Sequence, residues 1–367
     1  MSKVDTLSKK DCSGCAACKN ICPKDAIIMQ EDKNGFKYPK IDDELCINCG
    51  LCAKVCPIMN KLKENSYKMQ IYACKNKNEK VRKKSSSGGL FTLFANYILS
   101  QNGVVFGAKY DKNLKVVHDY IESEDDIGIF RGSKYVQSDI NDTYKQVKKF
   151  LNENRKVLFT GTPCQVEGLI AYLGKDYKNL YTQDFICHGV PSPKVWRKYL
   201  EYKKETHGSY PTEVNFRNKD ELGWDDFQVK YKYINEEENI HHNEDYYMNF
   251  FLRNYDLRES CYNCHFKKVH RNSDLTVADF WGINDIIPEF NDKKGVSSLM
   301  INSKKGEEIF EGVKLNIDFI KVGIESIIKH NSPLCNSVPY NKDREQFFEC
   351  LDNDNFNEIV NKFLNNK

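Results

Sequence analysis

From Ile71 onward the chain alternates short apolar runs with longer amphipathic stretches. IYACK, GVVFGAKY, VVHDYI, KVLFT and LYTQDFI are short and rich in β-branched and aromatic side chains, which predicts strands. Between them GGLFTLFANYIL, QVKKFLN and QVEGLIAYL repeat apolar positions three and four residues apart, the period of a helix. PKVWRKYLEYKK follows as another helix, with proline at its start. Farther on, VNFRNK, DFQVKYKY, DLTVADFW and SSLMINS read as strands, several with period-two alternation. Beyond Lys304 the pattern is helix, strand and helix, with KGEEIFEGV and DREQFFECLDN amphipathic enough to cover a core. This alternation predicts an α+β fold whose larger part, residues 71–367, is a mixed α/β sheet domain.

The first 60 residues lack that texture, and KLKENSYKMQ, residues 61–70, reads as a polar linker between the two parts. The opening MSKVDTLSKKD is polar, without the apolar core of a secretory signal, so the expected compartment is cytoplasmic. The longest apolar stretch, LFTLFANYILSQNGVVFGA, is broken by Asn96, Gln101, Asn102 and Gly103, which predicts no membrane span. Basic and acidic residues number 55 and 52, a formal net charge of +3, and this leaves no electrostatic footprint for nucleic acid. Fifteen cysteines in a reducing compartment are not a disulfide framework; they point to metal or redox chemistry.

Eight of them fall in two copies of one run. CSGCAACKNICP carries Cys12, Cys15, Cys18 and Cys22, and CINCGLCAKVCP carries Cys46, Cys49, Cys52 and Cys56. Each is C-x2-C-x2-C-x3-C-P, the spacing of bacterial two-cluster ferredoxins. Two-residue gaps let three thiolates converge on one cubane from a tight loop, while the fourth cysteine serves the other cluster. The expected ligand sets are Cys12, Cys15, Cys18 and Cys56 for one [4Fe-4S] centre, and Cys46, Cys49, Cys52 and Cys22 for the second. Pro23 and Pro57 then fix the chain direction. Paired zinc sites are the competing assignment, disfavoured by two complete copies each ending in Cys-Pro.

Four further cysteines belong together if strands adjacent in sequence lie side by side. Cys164 follows the strand KVLFT, Cys187 follows LYTQDFI, and Cys261 with Cys264 forms C-x2-C. Together they supply four thiolates, enough for a third [4Fe-4S] cluster. Taken singly, Cys164 also fits a buried inert thiol or, at a helix amino terminus, an activated nucleophile.

The segments SSSGGLFTLFANYIL, RGSKYVQS, VLFTGTPCQVEGL, DFICHGVPSP, SCYNCHFKKVHRNSDLTVADFWG and KGVSSLMIN, in that order, resemble the coenzyme F420 hydrogenase/dehydrogenase beta-subunit family over residues ~70–305. The resemblance implies a flavoprotein with FAD beside a [4Fe-4S] cluster, and implies that Cys164, Cys187, Cys261 and Cys264 ligate that cluster. It also implies cofactor-binding roles for Ser85, Ser86, Ser87, Gly88 and Gly89, where hydroxyls and backbone amides ahead of a helix suit a pyrophosphate or flavin edge. Lys134 would pair with a phosphate or with the flavin N1 and C2 carbonyl region, an exposed lysine being the alternative. Gly161 and Thr162 would form the turn that brings backbone close to the cofactor.

His188, directly after Cys187, is the candidate catalytic residue, as a proton donor near the flavin or a partner of a cluster sulfur. His241 and His242 are read as an exposed loop, Arg258 and Arg271 as surface arginines with cluster-charge compensation as the alternative, and Cys74, Cys335 and Cys350 as ordinary thiols. Asp279 and Trp281 suit packing or flavin contact. The expected function is an iron-sulfur flavoprotein oxidoreductase that passes electrons between [4Fe-4S] clusters and FAD, coupled to two-electron or hydride exchange with coenzyme F420 or another small-molecule substrate. An external ferredoxin or a redox partner subunit would exchange the single electrons. Competing expectations are a ferredoxin-dependent reductase in surface-polysaccharide biosynthesis and a non-catalytic electron-relay subunit of a hydrogenase or formate dehydrogenase complex.

Overall fold

The computed structural model describes residues 3–365. The amino-terminal module holds two short helices, α1 (Ala17–Ile21) and α2 (Leu51–Lys54), and an antiparallel hairpin of β1 (Ile27–Glu31) with β2 (Lys37–Ile41). The duplicated cysteine runs share a backbone path. Gly14 and Asn48, then Ala16 and Gly50, all have positive φ, so each loop winds left-handed around its thiols before its helix starts. Residues 61–69 form no regular element, and Asn65 pins them by donating to the carbonyls of Arg271 (2.8 Å) and Asn302 (2.6 Å).

The larger domain is built on an eight-stranded mixed sheet. Its strands are β3 (Gln70–Asn76), β4 (Val104–Tyr110), β5 (Val116–Ile121), β6 (Val157–Thr160), β7 (Leu180–Phe185), β11 (Leu275–Asp279), β12 (Ser297–Ile301) and β13 (Ile317–Lys321). Their order is β13-β3-β12-β11-β7-β6-β4-β5, and the central four, β11, β7, β6 and β4, run parallel. A separate antiparallel sheet joins β8 (Glu213–Asn218), β9 (Gln228–Lys232) and β10 (Glu237–His241). Among the helices, α3 (Glu79–Lys83) and α4 (Leu90–Leu99) follow β3, α5 (Thr143–Asn152) precedes β6, α6 (Pro163–Leu173) follows it, and α7 (Pro193–His207) follows β7.

Unbroken apolar runs suit central parallel strands because both faces are covered. Val105 and Leu158 pack with Leu90, Phe94 and Ile98 of α4 on one face. Val104, Phe106, Val157 and Phe159 pack with Tyr144, Val147, Val166 and Leu169 of α5 and α6 on the other. Each such large side chain taken from water contributes about 1.5–3 kcal/mol. Ala16, Ala17 and Val55 of the cysteine module join this second face, so the module docks on the α5–α6 side. Parallel strands end at a common edge, and the segments after β6 and β7 leave from it, where α/β sheets bind ligands.

Candidate redox site

Cys164 owes its place to local sequence. Thr162 caps α6, Pro163 occupies its first turn and Gln165 completes a capping box, so the helix starts within two residues of the end of β6. Thr162 Oγ1 lies 3.0 Å from Cys164 Sγ. Because β6 and β7 are parallel neighbours, Cys187 leaves the sheet at the same edge. The turn at Glu259–Asn263 brings in Cys261, with Cys264 at its end. All four thiols line one cavity, which Arg258, Lys267 and Arg271 also line.

Burial and the neighbouring thiols of Cys264 and Cys187 push the Cys164 thiol far above its usual value, the opposite of an activated nucleophile. Burial likewise pushes Cys187 and Cys261 up to about 12. Four half-buried sulfurs converging from three segments form a donor set that a metal completes by displacing protons.

Cys12, Cys15, Cys18 and Cys56 line a second cavity, the crossed set expected of shared two-cluster runs. Cys22, Cys46 and Cys52 pack against the same apolar cluster as Cys18 and Cys56, and Cys49 is exposed. The two parts meet closely at Gly168, one turn after Cys164 on α6, where a Cβ would stand 3.0 Å from Cys15 Sγ.

A larger cavity of about 590 Å³ lies beside the four-cysteine cavity, and Cys187, His188, Gly189 and Val190 line both. Its volume is that of a cofactor pocket. Ser85, Ser86, Ser87, Gly89, Lys134, Gly161 and Thr162 all line it. Gly88 does not: its N–H donates to Ser297 Oγ, and a Cβ there would stand 2.6 Å from the Cys74 carbonyl oxygen, so it serves the contact of the serine loop with the sheet.

The serine loop precedes α4, and Gly89, Leu90 and Phe91 at its amino terminus line the same cavity. Lys134 is half-buried rather than exposed, donates to the carbonyls of Phe130, Arg131 and Gly132, and is lowered to about 7 by burial. Neither turn amide is free, since Gly161 N–H donates to Gln183 O at 3.1 Å and Thr162 N–H to Gln165 Oε1 at 3.0 Å. Their contribution is close backbone approach. His188 stands in the shared wall with Nε2 2.7 Å from Asn254 Oδ1, its ring edge-on to Phe251 and its basicity lowered by burial.

Several expectations need correction. Arg258 and Arg271 are not surface residues, being 0% and 1% exposed, because both are drawn under the cysteine loops. His241 and His242 do not form an exposed loop: His241 ends β10, and His242 is half-buried in the cavity wall, stacked on Phe227 at 4.4 Å. Sequence reasoning also missed Arg217, which faces the cavity from β8, pairs with Asp279 at 2.9 Å and lies over Phe227 at 4.1 Å. Trp224 Nε1 donates to the same carboxylate and its ring stacks on Trp281 at 5.1 Å. Arg131, half-buried beside the serine loop, was overlooked as well.

Residues 11–59 match the family described as 4Fe-4S dicluster domain, and residues 154–322 match the family described as the C terminus of the coenzyme F420 hydrogenase/dehydrogenase beta subunit. The chain joins a 4Fe-4S dicluster domain to a domain of the F420 hydrogenase/dehydrogenase beta-subunit family. It is 27% identical over 323 residues to the coenzyme F420-dependent sulfite reductase of Methanocaldococcus jannaschii, covering 83% of this chain and 46% of that protein. The chain thus spans less than half the length of that relative. An uncharacterized ferredoxin of the same organism is 36% identical over 78 residues, 21% of this chain and 92% of the ferredoxin. In fold, the chain is similar to one in the F420-reducing [NiFe] hydrogenase complex from Methanosarcina barkeri, with 16% identity and a TM-score of 0.50, covering 78% of this chain and 93% of that one. The dicluster match gives the amino-terminal module its iron-sulfur character. Among the described residues, no helix is long and apolar enough to cross a membrane.

Proposed function

We propose that this chain is an iron-sulfur flavoprotein oxidoreductase. In this reading the dicluster module holds its two centres on Cys12, Cys15, Cys18 and Cys56 and on Cys46, Cys49, Cys52 and Cys22. Cys164, Cys187, Cys261 and Cys264 hold a third [4Fe-4S] cluster, and FAD fills the large cavity. The observation that carries this is the wall from Cys187 to Val190, which faces the four thiols on one side and the 590 Å³ cavity on the other. Bound there, a flavin supplies the conversion between the one-electron traffic of clusters and two-electron or hydride exchange with an organic molecule.

The residues divide that work. Arg131 and Lys134, with Ser86, Ser133 and the α4 amino terminus, present positive charge and donors to a diphosphate. Neither side chain has a carboxylate partner among the described residues; Arg131 is left to pair with a ligand, and Lys134, lowered to about 7 and bonded to three carbonyls, takes up its full charge beside such an anion. Trp281, Phe227 and the Arg217–Asp279 pair line the other end, a surface suited to a planar heterocycle. His188, held by Asn254, sits at the wall where a proton would be handed on. The names of the relatives make coenzyme F420 the leading small-molecule substrate, with another organic acceptor or donor as the alternative. On the outer module, exposed Leu45 and Ile47 flank Cys46, two residues ahead of exposed Cys49, a fit for an external ferredoxin or a redox partner subunit.

Anaerobically purified protein is expected to be brown, with about one FAD and about twelve irons per chain. Colourless protein containing zinc and no flavin would overturn the assignment. Turnover of reduced F420 with a viologen dye decides the substrate class.

A further inference from the structure

Arg258 is a buried cation with no carboxylate to answer it. It is 0% exposed and, among the described residues, has no ion-pair partner within 4 Å. Nε donates to Cys12 O at 2.8 Å, Nη1 to Gln137 Oε1 at 3.1 Å and Nη2 to Lys37 O at 3.0 Å. Nη2 also approaches Cys12 Sγ at 3.9 Å, and the guanidinium lies 4.1 Å over the Tyr38 ring. Tyr38 supplies no anion, since burial pushes its phenol up to about 12. A guanidinium taken fully from water against carbonyls alone is costly, so a compensating negative charge belongs nearby.

Two candidates for that charge lie on either side of it. The Cys12, Cys15, Cys18 and Cys56 set is reached through Cys12, and Arg258 itself lines the cavity of Cys164, Cys187, Cys261 and Cys264. Gly14 shows how tightly the arrangement is built: a Cβ there would stand 2.8 Å from Arg258 Nη1, in a loop residue with φ +70°. Only glycine lets the first cysteine loop close over the guanidinium.

We infer that Arg258 is a positioning residue for electron transfer, a fixed positive charge shared by the inner ferredoxin centre and the third centre. Each centre gains negative charge on reduction, so a cation buried between them favours the reduced state of both and makes electrons pool at the junction of module and flavin domain. Cys46, Cys49, Cys52 and Cys22 are neither among the hydrogen-bond partners of Arg258 nor in the lining of the cavity it faces, so the centre they would hold serves as the internal control. Lys267, bound to the Cys187 carbonyl, adds positive charge beside the third centre, whereas Arg271 in the same cavity is already paired with Asp184. This inference rests on the cluster assignments proposed above.

The test is a redox titration followed by electron paramagnetic resonance on wild type, Arg258→Met and Arg258→Lys, with iron counted in each. Arg258→Met should lower the potentials of the two flanking centres so that the reduced-to-oxidised ratio at fixed ambient potential falls at least tenfold, about 59 mV for a one-electron couple. The control centre should not move, and Arg258→Lys should stay within about threefold of wild type, since it keeps the charge and loses only the planar fork. Unshifted potentials in an iron-replete Arg258→Met protein would overturn the inference, as would equal shifts in the Met and Lys variants. Loss of iron from both variants would assign Arg258 to holding the two parts together and equally overturn the tuning role. If wild type holds only eight irons, the third-cluster assignment fails instead, and the shift at the Cys12 centre still decides the role of Arg258.

Discussion

Gly168 sets how closely α6 lies on the dicluster module, and replacing it pits two effects of known sign against each other. Alanine in a helix interior is favoured over glycine by about 1 kcal/mol. Against this, a Cβ at Gly168 would stand 2.9 Å from Cys15 Cβ, 3.0 Å from Cys15 Sγ and 3.0 Å from Tyr144 Oη, closer than real side chains pack. Neither neighbour gives easily. Tyr144 Oη is tied to the Gln165 carbonyl at 2.7 Å, and Cys15 belongs to a left-handed loop wrapped around its thiols. Overpacking of this kind costs about 1–3 kcal/mol, and with rigid neighbours the upper half applies. Gly168→Ala is therefore expected to lose about 1–2 kcal/mol net, and Gly168→Val more, because two further methyls enter the same contact. At about 2–4 °C per kcal/mol the alanine variant should melt a few degrees lower. Thermal melting of the anaerobic holoprotein, followed by visible absorbance and circular dichroism, measures this. Iron and FAD contents should stay at wild-type levels, while electrons given to the module should reach the flavin more slowly in the valine variant. An alanine variant that melts at or above wild type would refute the close contact, since helix propensity would then have won.

Cys164→Ser should remove about a third of the bound iron while both module centres persist in the resonance spectrum; unchanged iron would return Cys164 to the role of an inert thiol. Lys219 Nζ donates to the carbonyls of Arg82 (2.8 Å), Ser87 (3.0 Å) and Lys294 (2.8 Å), latching the serine loop, so Lys219→Met should weaken FAD retention by about tenfold with iron unaffected, read by flavin release on dilution. Asp256 is fully buried, neither carboxylate oxygen has a hydrogen-bond partner in another of the described residues, and burial raises its carboxyl to about 8. Between an unfolded value near ~4 and that folded value, the folded state binds the extra proton, so this group's contribution is present below pH ~4 and lost as pH climbs to ~8. Asp256→Asn should consequently flatten the pH dependence and gain on the order of 1–3 kcal/mol relative to wild type at pH 8; a wild-type stability that is the same at pH 6 and pH 8 in denaturant titrations would count against it.

The cysteine runs are local chemistry, and so is their signal. Two copies of C-x2-C-x2-C-x3-C-P point to cluster ligands with a crossed fourth thiol within 50 or so residues, and the structure sets Cys56 beside Cys12, Cys15 and Cys18. Strand and helix periodicity likewise foretold the alternation that builds the sheet, because unbroken runs such as VLF and VVF have no stable place except between two covering layers. The Gly161-Thr162-Pro163 turn ahead of Cys164 marked that cysteine as opening a helix from sequence alone, while the Gln165 capping box emerged only in the structure.

What the sequence did not contain was distance across the fold. Arg258 and Arg271 look like any charged residues in a polar stretch, and only the docking of the cysteine module over Arg258 and the closing of Asp184 and Leu334 around Arg271 bury them. Arg217 and His242 become cavity walls because the small β8–β10 sheet leans against the main one, a contact between segments that no periodicity encodes. Gly88 was read with its neighbours as a cofactor contact and instead holds the serine loop against the sheet, since a run of small residues does not say which of them faces the cavity. Ligand spacing and strand period are fixed by bond lengths within a few residues, whereas burial and charge pairing depend on which distant segments close over a side chain, and that is decided only when the chain is folded.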